Sequence, residues 1–219
     1  MAFLKKRFKR VTSMGLALLL AVSVFPSAAF AASESTLAEV TAKFLDAETG
    51  KEITEPEAKI VRAASRAHAE TGAPICTHTT LGTRGMEQLE IFKSFGVDLS
   101  RVVLSHIDLS ADLDYMKRLL DQGVNIAFDT IGKCNYQPDG SRAMWLSQLC
   151  REGYENQIVM SMDITRRSNF ADRGGVGYSY LLDTFAPMAC EAGVPEQTFE
   201  KLLYRNALRI YKGQSEASV

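Results

Sequence analysis

From Ile53 onward, short apolar runs alternate with longer segments whose apolar residues recur at helical spacing. Glu55 to Glu70 carries Ile60, Ala63, Ala64 and Ala67 on such a spacing and stops at Thr71-Gly72, which predicts a helix. Ile75–His78 follows as a short buried strand, and Gly85 to Phe95 as a helix closed by Gly96. The rhythm then repeats. Strand Arg101–His106 precedes helix Ala111 to Gln122, strand Val124–Asp129 precedes helix Ser141 to Glu152, and Gln157–Asp163 is the last strand. Tyr178 to Ala192 and Pro195 to Tyr211 read as two closing helices. Strands that alternate with helices in this way predict an α/β fold with a parallel sheet covered by helices. The unbroken apolar runs Val102-Val103-Leu104 and Ile158-Val159-Met160 predict strands buried on both faces.

The chain ahead of Ile53 has a different texture. Met1 to Arg10 holds Lys5, Lys6, Arg7, Lys9 and Arg10 with no acid, Met14 to Phe25 is apolar, and Ala29-Phe30-Ala31 offers small residues for cleavage. Together these predict a secretory signal peptide over residues 1–31, hence a secreted or extracytoplasmic chain. The apolar run falls short of the roughly 20 residues a membrane span needs, so no stable span is expected after cleavage. Residues 32–52 read as a linker or short β segment. Ala38 to Leu45 alternates in polarity and is followed by the turn Glu48-Thr49-Gly50. Residues 53–213 form the main unit and 214–219 a tail.

Composition sharpens the picture in one respect. The 219-residue chain has 25 Lys and Arg against 26 Asp and Glu. Loss of the five N-terminal basic residues would leave 20 against 26, an acidic product with no basic stripe. Nucleic acid and anionic membrane surfaces are therefore not expected partners. Cys76, Cys134, Cys150 and Cys190 are widely and irregularly spaced with no CxxC, which argues against structural zinc and for mostly free thiols, with room for one pair.

The candidate chemistry lies at the strand ends. His78, His106, Asp129 and Asp163 each close a predicted strand, 23 to 34 residues apart. In a parallel sheet all carboxyl ends share one face, where active sites form. Two imidazoles and a carboxylate are a usual shell for a divalent metal that acidifies a water. His78, His106 and Asp163 are thus candidate metal ligands, with Asp163 also a candidate proton acceptor. Asp129 is expected to bond loop amides before Gly132 rather than metal, and His68, in mid-helix, to be structural or surface. Lys133, Arg166 and Arg167 follow strand ends and are candidates for contact with an anionic or polarised substrate oxygen. The glycines of Arg173 to Tyr178 are expected to form a flexible loop over the site. GxGxxG after a strand, the Walker-type loop and the GxSxG elbow are all absent.

The stretches GAPICTHT, SRVVLSHIDLSADLDYMKRLLDQG, FDTIGK and SMDITRRS resemble the carboxyl-terminal half of the phosphotriesterase-related family, in the amidohydrolase superfamily. The resemblance runs from about Ile53 to Tyr211. It implies about four βα units, strands 5–8, of a TIM (β/α)8-type barrel, and hydrolysis of ester-like bonds, in lactones or phosphotriesters, by a metal-activated hydroxide. By motif, His78 and His106 would bind one metal, with Asp163 binding a second and serving the hydroxide. Zinc would be the expected ion, with manganese the other choice. Arg166 would orient a small-molecule substrate. The family's first-strand HxH motif occurs nowhere in this chain, and Glu39, in LAEV, stands several residues too far from Ile53 to match the bridging position cleanly. A half-barrel has open edges and half its interior packing, so a homodimer or a complementing half-barrel is the expected partner, and an inactive secreted half-barrel the rival reading.

Overall fold

The computed structural model describes residues 53–212. The predicted signal peptide, the alternating segment Ala38 to Leu45, Glu39 and the tail lie outside the described residues. Helix α1 (Glu55–Thr71) starts where Glu57 accepts the Thr54 backbone N–H at 2.7 Å, with Pro56 in the first turn. It ends at Gly72, which is left-handed (φ 67°) and donates its N–H to the His68 carbonyl at 2.7 Å. A capping carboxylate at the start and glycine at the stop fix this helix locally.

Four strands follow, β1 (Ile75–Thr77), β2 (Val102–Leu104), β3 (Asn125–Phe128) and β4 (Ile158–Met160). Helices α2 (Gly85–Ser94), α3 (Leu113–Leu120) and α4 (Asp139–Arg151) separate them. All three pairings are parallel and the order is β1-β2-β3-β4, so each crossover helix returns the chain to the next strand. The α/β expectation is met. The strands are shorter than the apolar runs suggest, because the chain leaves extended geometry before the candidate residues. His106 (φ 63°) and Asp163 (φ 43°) are left-handed.

Side-chain alternation sorts the strands onto two cores. Ile75, Val102, Leu104, Ile126, Phe128, Ile158 and Met160 face the helices in the main cluster. Val103, Ala127 and Val159 face the other way and form a second cluster with Ile210. Ile210 belongs to the closing segment. This is not the pair of plain helices the sequence suggests: a π turn at Leu181–Phe185 runs into α5 (Ala186–Glu191), and α6 (Thr198–Glu200) leads through a π turn at Lys201–Arg205 into α7 (Asn206–Lys212). Helical propensity marks such stretches without distinguishing the wider π register.

Helix α7 seals the amino ends of the strands. Arg209 donates to the Ser100 and Asn156 carbonyls (3.2 and 2.9 Å) and to Asn125 Oδ1 (2.7 Å). Asn206, 2% exposed, gives its Nδ2 hydrogens to the Glu155 and Ile158 carbonyls at 2.8 and 2.7 Å. Asn206→Ala is expected to lower stability by about 2–4 kcal/mol, because two carbonyls near the start of β4 lose their donor. Urea unfolding of the variant beside the parent measures this. The strand ends facing away from α7 are therefore the only end of the sheet left for chemistry among the described residues. No helix there is long and apolar enough to cross a membrane.

Candidate metal-binding site

Each predicted residue stands just past a strand. The His78 and His106 rings meet edge to face, centroids 4.7 Å apart at 78°. Asp129, beyond β3, binds His106 twice: its Oδ1 accepts the His106 backbone N–H and ring Nδ1–H, both at 2.8 Å. The first bond supports the left-handed backbone at His106, a conformation that costs a β-carbon residue of the order of 1–3 kcal/mol. The second directs the Nδ1 proton to Asp129 and leaves the Nε2 lone pair pointing away from that bond. Asp129 does bond a loop amide, but not one before Gly132. The Gly132 N–H donates instead to Asp139, at 3.1 and 3.2 Å to its two oxygens.

The electrostatics separate the two histidines. Burial lowers the His78 pKa and the neighbouring His106 lowers it further, against weaker opposing pulls from Asp129 and Asp163. Burial acts on His106 in the same direction, but the Asp129 bond and the carboxylates of Asp129, Asp163 and Asp108 outweigh it and raise its pKa. As pH rises, His78 therefore loses its proton before His106.

Asp163 lies near enough to act on both imidazoles, yet its Oδ2 pairs with the Lys133 ammonium. Among the described residues, no three His, Cys, Asp or Glu side chains converge closely enough to hold a metal ion. The expected ligand trio is thus drawn together only in part. The donor chemistry fits a divalent ion at the two imidazoles, and Lys133 supplies the positive charge beside Asp163. Arg166 and Arg167 are exposed on the turn after β4, where the Arg166 backbone N–H donates to Asn169 Oδ1 at 3.0 Å. In the Arg173 to Tyr178 loop, Val176 comes close to Gly132: its Cγ2, with Met162 Cε and Tyr180 Cδ1, lies 3.1 to 3.3 Å from where a β-carbon on Gly132 would stand.

Three other groups depart from or fill out the sequence reading. His68 is structural: its Nδ1 faces the Ala73 carbonyl at 2.7 Å and its Nε2 accepts the Asp98 N–H at 3.2 Å, so Nδ1 carries the proton. All four cysteines are free, as expected for most of them. Cys76 is crowded enough by the inner face for burial to raise its pKa, although solvent still reaches the residue; burial pushes Cys150 up to about 12. Finally, a buried ionic group behind the loops joins Asp108, Thr130, Asp139 and Arg142. Its only sequence signal is a charge on an apolar stripe, since Arg142 lines up with Leu146 and Leu149 along α4.

The sequence profile of the phosphotriesterase family matches residues 36–211, beginning upstream of Ile53 within the segment read as a linker. The chain is 43% identical over 160 residues to the phosphotriesterase homology protein of Escherichia coli, covering 73% of this chain and 55% of that protein. It is 30% identical over 166 residues to N-acetyltaurine hydrolase of Xenopus tropicalis, covering 70% and 48%. The crystal structure of the E. coli protein with phosphate in its active site superposes with a TM-score of 0.69 at 42% identity, over 77% of this chain and 56% of that one. A lactonase from Listeria monocytogenes superposes with a TM-score of 0.70 at 34% identity, over 75% and 52%. The chain spans about half the length of the curated relatives it matches. Its four parallel strands correspond to part of the barrel of these proteins.

Proposed function

The chain belongs to the phosphotriesterase family, and from that premise we propose that it carries half of a metal-dependent site for hydrolysing ester-like bonds, in lactones or phosphotriesters. The observation that carries this reading is the His78–His106 ring pair at the strand ends, with His106 oriented through Nδ1 by Asp129. In this reading His78 and the Nε2 of His106 hold the ion, zinc or alternatively manganese, with Asp163 as the third ligand once it leaves Lys133. Bound there, such an ion supplies Lewis acidity that brings water toward hydroxide near neutral pH. Asp163 would be the carboxylate placed to accept a proton from water at the site. Lys133, and Arg166 from the next turn, hold the anionic or polarised oxygen of a small-molecule substrate. Loading requires neutral imidazoles, so affinity for zinc rises with pH until His106, the histidine with the raised pKa, has lost its proton.

The sheet ends at β1 on one side and β4 on the other, with both edges unpaired among the described residues. We place the complementing strands on a second copy or on a separate half-barrel bearing the missing ligands. The export of the chain by residues 1–31 belongs to the same proposal. The rival, an inactive secreted half-barrel, draws on the Lys133–Asp163 pair, which keeps the third ligand engaged. Lactone and phosphotriester hydrolysis by the zinc-loaded chain distinguishes the two, assayed alone and with the amino-terminal half of the E. coli relative. Turnover that depends on His106 supports the hydrolase; none in either mixture supports the rival.

A further inference from the structure

We propose that Arg142 is a positioning residue for the strand-end site, holding the loops that carry His106 and Lys133 in fixed relation. Its side chain is wholly buried, as is that of Asp108. The guanidinium donates from Nε to Asp108 Oδ2 at 2.6 Å, from Nη2 to Thr130 Oγ1 at 2.7 Å, and from Nη1 to Asp139 Oδ1 at 2.7 Å and to the Gln137 carbonyl. Thr130 closes the ring by donating its hydroxyl to Asp108 Oδ2.

What these partners adjoin gives the group its role. Asp108 lies two residues beyond His106. Thr130 follows Asp129, the carboxylate that orients the His106 ring. Asp139 receives the Gly132 N–H, next to Lys133, and the Tyr180 hydroxyl at 2.9 Å. One planar fork thus joins the loops after β2 and β3 directly and, through Asp139 and Tyr180, the segment after β4. Burying such charges is a poor route to stability, because desolvation offsets most of the attraction. Among the described residues, Asp108 Oδ1 has no hydrogen-bond partner. A group this costly that ties together loops bearing His106, Asp129 and Lys133 fits a role in geometry. Lysine could not replace it, since a single ammonium cannot span the four acceptors.

The test reads geometry rather than turnover. Ring nitrogen and backbone amide NMR signals of the full chain are compared with those of Arg142→Lys, Thr130→Val and Tyr180→Phe, each checked for folding by circular dichroism. Thr130→Val and Tyr180→Phe each remove a single hydroxyl, so they remain informative if Arg142→Lys does not fold. Expected are displaced His106 ring signals in Arg142→Lys and Thr130→Val and displaced Gly132 and Lys133 amides in Tyr180→Phe, with His68 unmoved as internal control. Zinc affinity should fall about 10-fold in Arg142→Lys and Thr130→Val, the lower range for residues that orient a ligand. Folded variants with unmoved His106 and Lys133 signals would overturn the proposal. The affinity arm rests on the metal reading above. If the parent binds no zinc but the signals move, that reading fails and the positioning role stands.

Discussion

Asp129→Asn is expected to weaken zinc binding by about 10–100-fold while leaving the fold intact. The carboxylate does two things at once, accepting the His106 backbone N–H and its Nδ1–H through the same oxygen. An asparagine oxygen can keep one or both contacts, but without the negative charge that makes the imidazole a better donor. It also removes a carboxylate that holds the His106 pKa up, so the variant's His106 should lose its proton at lower pH than the parent's. Competition titration with a chromophoric chelator measures the affinity, and histidine NMR against pH measures the second effect. Equal affinity in parent and variant would show that the Asp129 bond serves the loop rather than the ligand.

Gly82→Ala should be the more damaging change, costing about 2–5 kcal/mol from left-handed strain and overpacking together. Gly82 is left-handed (φ 74°), and a β-carbon there would stand 2.5 Å from the Ser110 backbone nitrogen and 2.9 Å from its α-carbon. Backbone cannot rotate out of the way as a side chain can. The short helical turn Thr80–Gly82 follows His78, and the turn Ile107–Ser110 follows His106. Forcing these turns apart separates the two imidazoles, so the variant should lose metal binding along with stability. Thermal unfolding with and without zinc checks both: parent stability should rise with zinc, and the variant's should be lower and unresponsive. A variant as stable as the parent would mean the two loops do not depend on this contact.

The architecture was legible because its signals are local. Helix stops at Gly72, Gly96, Gly123 and Gly153 bracket each βα unit, and the apolar runs Val102–Leu104 and Ile158–Met160 mark doubly buried strands. The positions of His78, His106, Asp129 and Asp163 past the strands could be read from the same rhythm. Their partners could not. The Asp129–His106 bond and the Lys133–Asp163 pair join residues 23 and 30 positions apart, and depend on the turns that follow the strands. Reading along the chain therefore assigns Asp129 the wrong amides and Asp163 no cation. Arg142 is a case between these. A charge among Leu146 and Leu149 on a buried stripe is visible in the sequence, but its acceptors Asp108 and Thr130 come from two other loops.

The central claim is that His78 and His106 form a working metal site. Its most direct test is elemental analysis of the purified full chain after zinc loading and dialysis, beside a His78→Ala, His106→Ala double variant. About one zinc per folded parent chain and none in the variant is the predicted result. Equal zinc in both, or none in either, would contradict it and leave the ring pair at the strand ends without a metal to hold.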